Sequence, residues 1–431
     1  MCTFKITNNP NPTPIEDLLC FGGPDTNLTV DLDGVYLTHY LLSITGTYTP
    51  QPVLSAGKYY MLLGEIYNWD ASLPSDIFYG IQQYQKHGEN FIHYLDGEYL
   101  FIVADPGNKT LDIFTDTWST RQIYYYIHEG YWYFSTFPME EPASPRFRKT
   151  YDTVWSKKYN RLSHNTHYRF NYSSQTLTVI NPELHKWNLD QTVDNLDLAT
   201  EKFEQAILKR YKPDAVLFLS GGYDSTCIAA CLTDHKLPFQ SITLNVAPAE
   251  DTNTLADVLD YSKNYNTNYE ITQRQDWVSD LSARRQRILN NTGMPVQNQI
   301  REESIKRFGN RVILMGNGSD EMLENYIFKG KSEFTTWPTD LNTVFPWQHF
   351  YGGQSRRLLD YHETVSLGYG MEVRNVFYDT ELVQSWINTT SSLKNTSTKP
   401  IQTKYLDDRA ISIPVRVAGF GSQHPGYNNY G

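Results

Sequence analysis

The sequence predicts two domains of different fold class. Residues 1–188 are predicted to form an α+β domain of stacked antiparallel sheets, because short aromatic and alternating runs recur there between turn signals. Residues 189–431 are predicted to form an α/β domain around a parallel sheet, since short apolar runs alternate there with helical stretches. The character of the sequence changes near Asn181-Pro182, just before this boundary.

Local patterns predict the individual elements. In the first domain the strands are expected at Val35–Leu37, Tyr59–Leu63, Tyr99–Val103, Thr110–Phe114, Ile123–Tyr126 and Tyr131–Phe134, with one helix over Ser75–His87. In the second domain strands are expected at 215–219, 241–246 and 311–315. Helical spacing over 195–211 predicts a buried stripe of Leu196, Leu198, Phe203, Ala206, Ile207 and Leu208.

The composition and charge of the chain exclude several classes of function. The chain has 431 residues, a formal charge of −11, and 40% hydrophobic residues, enough for sizeable cores. An acidic chain lacks the basic faces that nonspecific nucleic-acid binding needs. No signal-peptide pattern and no apolar stretch of about 18 residues is present, so we expect a cytoplasmic protein without a membrane partner. The four cysteines lack zinc-site spacing.

A glycine turn is the most specific feature of the chain. The apolar run Val216–Leu219 leads into Ser220-Gly221-Gly222-Tyr223-Asp224-Ser225 and then into a helical stretch. Glycines allow the backbone to approach an anion closely, and the first N–H groups of the helix point towards it. We interpret the turn as a phosphate pocket; an ordinary strand–helix turn rich in Gly and Ser is the alternative.

A second turn repeats this pattern. The strand-like run Val312–Met315 leads into Gly316-Asn317-Gly318-Ser319 and then into Asp320 and Glu321. In a parallel sheet both turns lie at the carboxyl ends of strands, where ligands bind. Asp224 and Asp320 could then hold one Mg²⁺ ion across the phosphates of ATP. Considered alone, the second turn is more typical of a helix N-cap with acidic residues in its first turn, and the pairing with the first turn is what favours a metal site.

The N-terminus offers a nucleophile. Cys2 follows Met1, and a small residue at that position permits removal of the methionine. The exposed residue would carry both a thiol and an α-amine, so it could act as its own nucleophile and base. A chance cysteine in a frayed terminus is the alternative.

Together these segments resemble the asparagine synthetase family along nearly the whole chain. The matching segments, in order, are Met1-Cys2, Gly23–Asp25, His39 with Leu42–Ile44, Gln51-Pro52, Gly64–Asn68, Leu95–Gly97, Ser220–Ser225, Gly318–Glu321 and Gly370–Asp379. The resemblance implies a class II glutamine amidotransferase domain of N-terminal nucleophile type, followed by an ATP-pyrophosphatase-type synthetase domain. Such enzymes adenylate a carboxylate, by default aspartate, and ammonia from glutamine then displaces AMP.

The resemblance also implies roles for individual residues. Cys2 would attack glutamine, and the glutamine pocket would comprise Leu41, Leu63, Gly64, Glu65 and Asp96, with Asp96 binding the substrate amine. The nucleotide would contact Leu219, Ser220, Gly221, Gly222, Asp224, Ser225, Leu244, Met315 and Gly316. The metal ligands would be Asp224, Asp320 and Glu321. Asn317, Glu372 and Arg374 would fill catalytic positions, although a structural ion pair explains Glu372 and Arg374 equally well.

Four positions depart from the family pattern. Leu41 replaces an arginine that grips the glutamine carboxylate, a loss of about 2–4 kcal/mol of binding. Leu63 replaces an asparagine that donates to the oxyanion, a loss of about 10²–10³ in rate. Asn317 replaces a glutamate, and Val417 lies where a late lysine is expected.

Three functions therefore stay open at the level of the sequence. The first is an ATP-dependent, AMP-forming amide ligase that takes ammonia from glutamine or from solution. The second is a glutamine-independent cyclase or ligase of specialised metabolism, of β-lactam synthetase or peptide cyclase type. The third is a nucleotide-binding protein without turnover. A homodimer is compatible with all three.

Overall fold

The computed structural model describes most of the chain. It covers residues 2–10, 25–45, 48–136, 160–220, 222–245, 269–273, 295–324, 327–328, 331–332 and 334–411. Gly23, Pro24, Gly221 and Val417 lie outside these described residues, as does part of the predicted strand at 241–246.

Two six-stranded antiparallel sheets make up the N-terminal half. Their strands are β1 (Thr3–Thr7), β2 (Thr26–Asp31), β3 (Tyr36–Leu41), β4 (Val53–Ser55), β5 (Lys58–Ile66), β6 (Gly97–Asp105), β7 (Thr110–Thr115), β8 (Tyr124–His128), β9 (Tyr131–Ser135), β10 (Asn160–Arg161), β11 (His167–Asn171) and β12 (Thr176–Asn181). The strand orders are β10-β8-β9-β1-β3-β2 and β12-β11-β7-β6-β5-β4.

The two sheets are stacked, because alternate side chains of one strand enter different cores. On β5, Met61 and Leu63 pack with Phe4 and Ile6 of the first sheet. Tyr60 and Leu62 instead join the core beneath helix α1 (Asp76–His87). This period of two is what a half-buried strand requires, and the stacking confirms the predicted class of the N-terminal half.

A five-stranded parallel sheet organises the C-terminal half. Its strands are β13 (Val216–Phe218), β14 (Gln240–Asn245), β15 (Tyr269–Gln273), β16 (Val312–Met315) and β19 (Glu372–Asn375), in the order β15-β14-β13-β16-β19. All four pairings are parallel. Leu217 and Leu219 enter one core, and Val216 and Phe218 enter another. Both faces are therefore covered, as parallel sheets require, and the predicted α/β class is confirmed.

Helices and a small hairpin complete this half. The helices are α2 (Asp197–Arg210), α3 (Tyr223–Asp234), α4 (Pro295–Phe308), α5 (Ser319–Met322), α6 (Gln348–Tyr351), α7 (Gly353–Gly368), α8 (Thr380–Asn388), α9 (Ser391–Lys394) and α10 (Pro400–Asp407). Short 3₁₀ turns span Gly88–Tyr94, Leu341–Thr343 and Val376–Tyr378. The hairpin pairs β17 (Ile327–Phe328) with β18 (Lys331–Ser332).

The predicted stripe on α2 is partly wrong. Its buried residues are Ala199, Phe203, Ala206, Ile207 and Arg210. Leu198 is 40% exposed, because it precedes Ala199 by one residue, a rotation of about 100° away from the buried face.

The predicted boundary at residue 188 stays a prediction. Within the part of the chain that the structure describes, no helix combines the length and the apolar character that crossing a bilayer demands.

Candidate nucleotide and metal site

The first glycine turn connects β13 to α3 at the carboxyl end of the parallel sheet. Leu219 follows the strand, and Gly222 occupies the N-cap of α3. Ser225 holds the turn together: its Oγ accepts from the N–H of Ser220 at 3.1 Å and lies 3.0 Å from the Oγ of Ser220. The N-terminus of α3 thus faces outward from the sheet edge, a position that favours an anion.

The second turn meets the first at close range. Gly316 follows β16, and a Cβ atom there would lie 2.8 Å from the Cβ of Asp224 and 3.0 Å from the N of Ser225. Gly318 has φ +97° and would strike the ring of Tyr378 if it carried a side chain. Glycine at position 316 therefore allows the two turns to lie against each other, as the sequence predicts, and glycine at position 318 leaves room for Tyr378.

Asn317 lies between these two glycines. Its Nδ2 is 3.4 Å from the Oδ1 of Asn375 at the end of β19. Its buried Oδ1 has no hydrogen-bond partner among the described residues. A buried polar atom without a partner is costly, so this orphaned oxygen is compatible with a ligand that donates to it.

Asp224 and Asp320 converge on one cation, which is Lys399. The Nζ atom of Lys399 lies 2.8 Å from both carboxylate oxygens of Asp224 and 2.7 Å from the Oδ1 of Asp320. It also lies 2.9 Å from the Oε1 of Glu324. Glu321 is buried directly after Asp320. Three carboxylates thus contact one ammonium, and a fourth is buried next in sequence to Asp320.

The electrostatics of this cluster suit a divalent cation. Burial, and after it the charge of the neighbouring Asp320, raises the pKa of Glu321 to about 8. Burial likewise raises the pKa of Asp224, against the opposing effect of Lys399. Burial disfavours the ionised form of these carboxylates, a divalent cation would stabilise that form, and oxygen donors are the preferred ligands of Mg²⁺. The residues present therefore fit the predicted metal.

Sequence reasoning missed Lys399 and Glu324. Lys399 is the N-cap of α10 and precedes Pro400 at the first helical position. It follows a polar run, Thr389–Thr398, that gives no sign of a ligand site. The Lys-Pro pair could have predicted the start of a helix, but not that this helix begins beside the phosphate turn.

Glu372 lies at the end of its strand opposite to the turns, and Arg374 stands opposite Leu314, one residue before the end that carries them. In the pairing of β16 with β19, Met315 stands opposite Asn375, whereas Val312 stands opposite Glu372. Glu372 accepts from the Nε of Arg374 at 2.7 Å, and Arg374 reaches Glu65 of the N-terminal half at 3.2 Å. Their catalytic assignment stays a prediction, and the ion pair that explains them structurally is present.

The predicted glutamine pocket contains two buried leucines, and both of its carboxylates, Glu65 and Asp96, are already paired with cations. Leu41 and Leu63 are 4% and 1% exposed. Cys2 is partly buried against the core that contains Leu63, and burial raises the pKa of its thiol. Asp96 lies 2.6 Å from the Nζ of Lys209 on α2. The carboxylate that was predicted to bind the amine of glutamine is therefore already paired with an ammonium.

Gly64 serves close packing of the backbone. It has φ +101°, and a Cβ atom there would lie 1.9 Å from the carbonyl oxygen of Glu98.

Leu244 lies on β14, beside the strand that leads into the first turn. The contacts between the nucleotide and individual residues, which the sequence predicts, stay predictions.

Sequence comparison relates this chain to asparagine synthetases. The model of the asparagine synthase family matches residues 199–362. A probable glutamine-hydrolysing asparagine synthetase of Dictyostelium discoideum is 23% identical over 71% of this chain and 60% of its own length. A glutamine-hydrolysing asparagine synthetase of Oryza sativa subsp. japonica is 25% identical over 72% and 55%. The chain is thus similar to asparagine synthetases over 71–72% of its length.

The chain spans 60% or less of the length of these two relatives. Among solved structures, the allosteric regulatory enzyme of purine biosynthesis aligns with 63% of this chain and 80% of its own, at 10% identity and a TM-score of 0.33. The NH₃-dependent NAD synthetase of Campylobacter jejuni aligns with 36% of this chain and 76% of its own, at 15% identity and a TM-score of 0.22.

Proposed function

We propose that this protein is an ATP-dependent, AMP-forming amide ligase that activates a carboxylate and joins it to an amine or ammonia. One observation carries the proposal: two strand-end turns of a parallel sheet bring Asp224 and Asp320 onto the same cation, beside the N-terminus of α3. Ligands of α/β sheets bind at this edge. The similarity of the chain to asparagine synthetases supports the same reaction class.

Different residues of the chain would bind the phosphates and the metal. The turn from Ser220 to Ser225 and the first N–H groups of α3 would bind the phosphates. Asp224, Asp320 and Glu321 would hold Mg²⁺, which when bound neutralises the charge that develops on departing pyrophosphate. The substrate carboxylate attacks the α-phosphorus of ATP, pyrophosphate leaves, and the amine then attacks the acyl carbon and expels AMP.

A specific contact favours a nitrogen source other than glutamine. In the predicted glutamine pocket, Asp96 is neutralised by Lys209, and Leu41 and Leu63 offer neither a cation nor a hydrogen-bond donor. Glutamine would have to displace Lys209 and leave its own carboxylate unpaired, which is costly in a buried pocket. The glutamine-independent ligase, with ammonia or a substrate amine as acceptor, is therefore the second candidate.

Pyrophosphate release tests both candidates. The protein is incubated with ATP, Mg²⁺, a panel of carboxylates that includes aspartate, and either ammonium or glutamine. Release with glutamine that is abolished by Cys2→Ala and restored by ammonium would establish the glutamine-dependent synthetase. Release with ammonium or a substrate amine alone would establish the second candidate. A protein that binds ATP but releases no pyrophosphate with any acceptor would contradict both.

A further inference from the structure

The C-terminal end of α3 brings together three side chains of the types that bind transition metals. Cys231 and His235 are four residues apart at this end of the helix, so they lie on the same face. Glu204 belongs to the neighbouring helix α2. The sulfur of the thiol, one nitrogen of the imidazole and one oxygen of the carboxylate all lie within 4.8 Å of one another. This α3 C-terminal cluster begins about 10 Å along the helix from Asp224, so it is separate from the candidate nucleotide site.

The distances in the cluster are close to those of a tetrahedral zinc site. Zinc binds nitrogen and oxygen at about 2.0–2.2 Å and sulfur at about 2.3 Å, so two ligand atoms of one ion stand roughly 3.3–3.7 Å apart. In the structure the Nε2 of His235 lies 2.9 Å from the Oε1 of Glu204. Separation of these two atoms by roughly half an ångström would therefore admit the ion.

Neighbouring groups hold Glu204 by its other oxygen. The Nη2 of Arg409 lies 3.0 Å from the Oε2 of Glu204, and the hydroxyl of Tyr405 donates to the same oxygen at 3.1 Å. The Oε1 atom is therefore the one that faces His235. Hydrogen-bond partners of this kind orient the ligating carboxylates of metal sites.

The charge and the accessibility of this end of the helix also suit a cation. The C-terminus of a helix carries a partial negative charge, and α3 has no basic residue in its last turn. Cys231 is fully buried, whereas 39% of the side chain of His235 and 29% of that of Glu204 are exposed. An ion can therefore enter from the solvent, and a water molecule can complete its coordination.

A second group of possible ligands among the described residues is already occupied. Glu89, Asp112 and His167 also have ligand atoms close to one another. The guanidinium of Arg169 pairs with both of these carboxylates, and the Oδ1 of Asp112 contacts Arg169 and His167 together. Arg409, by contrast, pairs with only one oxygen of Glu204. The α3 C-terminal cluster is therefore the better metal site of the two.

We propose that the α3 C-terminal cluster binds Zn²⁺. The Sγ of Cys231, the Nε2 of His235 and the Oε1 of Glu204 supply three ligands, and water supplies the fourth. The thiol releases its proton to the solvent as the bond between sulfur and metal forms, because the thiolate is the ligand. The ion joins α2 to α3 and stabilises the fold whether or not the protein binds ATP. Spacing among the cysteines does not reveal the site, since its other two protein ligands are a histidine and a glutamate.

Cobalt binding tests the sulfur ligand, because a thiolate bound to Co²⁺ gives a charge-transfer band in the near ultraviolet. The full-length protein is stripped with a chelator, and Cys2→Ala with Cys20→Ala removes the two cysteines outside α3. We expect one Co²⁺ per chain with this band, and we expect Zn²⁺ to displace it. Cys231→Ser should abolish the band, whereas Cys227→Ser, four residues earlier on the same helix, should keep it. Absence of the band, or a band that survives Cys231→Ser, would overturn the proposal.

His235→Gln tests the same site without disturbing the core, because the histidine is partly exposed at the end of the helix. We expect the affinity for Zn²⁺, measured by competition with a chromophoric chelator, to fall by about 10²-fold, as for loss of a direct ligand. Zn²⁺ should raise the melting temperature of the wild-type protein but not of this variant. His93→Gln, which changes an exposed histidine outside the cluster, is the matched control and should alter neither result. Unchanged affinity in His235→Gln would contradict the proposal, and this variant decides the matter if Cys231→Ser does not fold.

Discussion

Asp224 and Asp320 belong to turns that are far apart in the sequence, yet a single ammonium contacts both. Sequence reasoning could pair them, because each follows an apolar run that ends in glycine, and the ends of parallel strands share one edge of a sheet. It could not include Lys399, because that residue reaches the site only through the tertiary packing of α10. Charged residues supplied by such a distant helix leave no local pattern to detect.

Replacement of Asp224 by asparagine tests the site at the residue scale. The variant keeps the shape of the side chain but loses the negative charge, so we expect AMP formation to fall by about 10²-fold or more, as for loss of a direct metal ligand. The measurement is initial-rate formation of AMP. Asp234→Asn, at the exposed end of the same helix, removes an ion pair with Arg409 and should leave the rate unchanged. Equal rates of AMP formation for wild type and Asp224→Asn would show that Asp224 is not a ligand of the metal.

At the scale of elements, strands were predicted well where the pattern is local. The aromatic runs Tyr59–Leu63, Tyr99–Val103 and Thr110–Phe114 fall within β5, β6 and β7. The predicted helix over Ser75–His87 is α1, which begins one residue later. The order of the strands could not be predicted from the sequence. In the structure β1 lies between β9 and β3, and the alternation of side chains along a strand does not indicate which strands pair with it.

A buried lysine on α9 gives an element-scale prediction about pH. Lys394 donates to the Oε1 of Gln191 at 2.8 Å and to the carbonyl of Ile387 at 2.9 Å. Burial lowers the pKa of Lys394 to about 7. Above pH 7 the folded protein has released this proton while the unfolded chain retains it up to its usual value near 10.5. The unfolded state therefore binds more protons in this window, and stability should rise with pH.

The expected contribution is a slope of about 1.4 kcal/mol per pH unit in the free energy of unfolding between pH 7 and 10. Urea unfolding of wild type and Lys394→Met across that range measures it. The difference between the two proteins should carry this slope, since the methionine does not titrate. A pH-independent difference would mean that Lys394 stays charged in the folded protein.

At the scale of the whole molecule, Glu98 joins the two halves of the chain. Glu98 lies on β6 and is 1% exposed. It accepts from the Nε of Arg210 at 2.8 Å, and from the N and Nδ2 atoms of Asn375 at 2.9 and 3.0 Å. Arg121 lies 3.5 Å away. Burial acts to raise the pKa of Glu98, yet Arg210 and Arg121 together lower it. The carboxylate is thus ionised and shared between the antiparallel and parallel halves.

Glu98→Ala should destabilise both halves together. The change leaves the buried guanidinium groups of Arg210 and Arg121 short of a counter-charge, so we expect a loss of about 3–5 kcal/mol in the free energy of unfolding. Denaturant unfolding followed by tryptophan fluorescence measures it. Glu89→Ala removes an exposed pair with Arg169 and should cost less than about 1 kcal/mol. Similar losses in the two variants would show that the junction contributes no more than a surface ion pair.

The identity of the nucleotide product distinguishes adenylation from other ATP-cleaving reactions. The protein is given [α-³²P]ATP, Mg²⁺, ammonium and the carboxylate panel, and the labelled product is separated by chromatography. For an adenylating ligase we expect labelled AMP. It should form only when a suitable carboxylate is present, and Asp224→Asn should abolish its formation. Labelled ADP, which would mean cleavage between the β and γ phosphates, would contradict an adenylating ligase, as would AMP formation that is independent of any carboxylate.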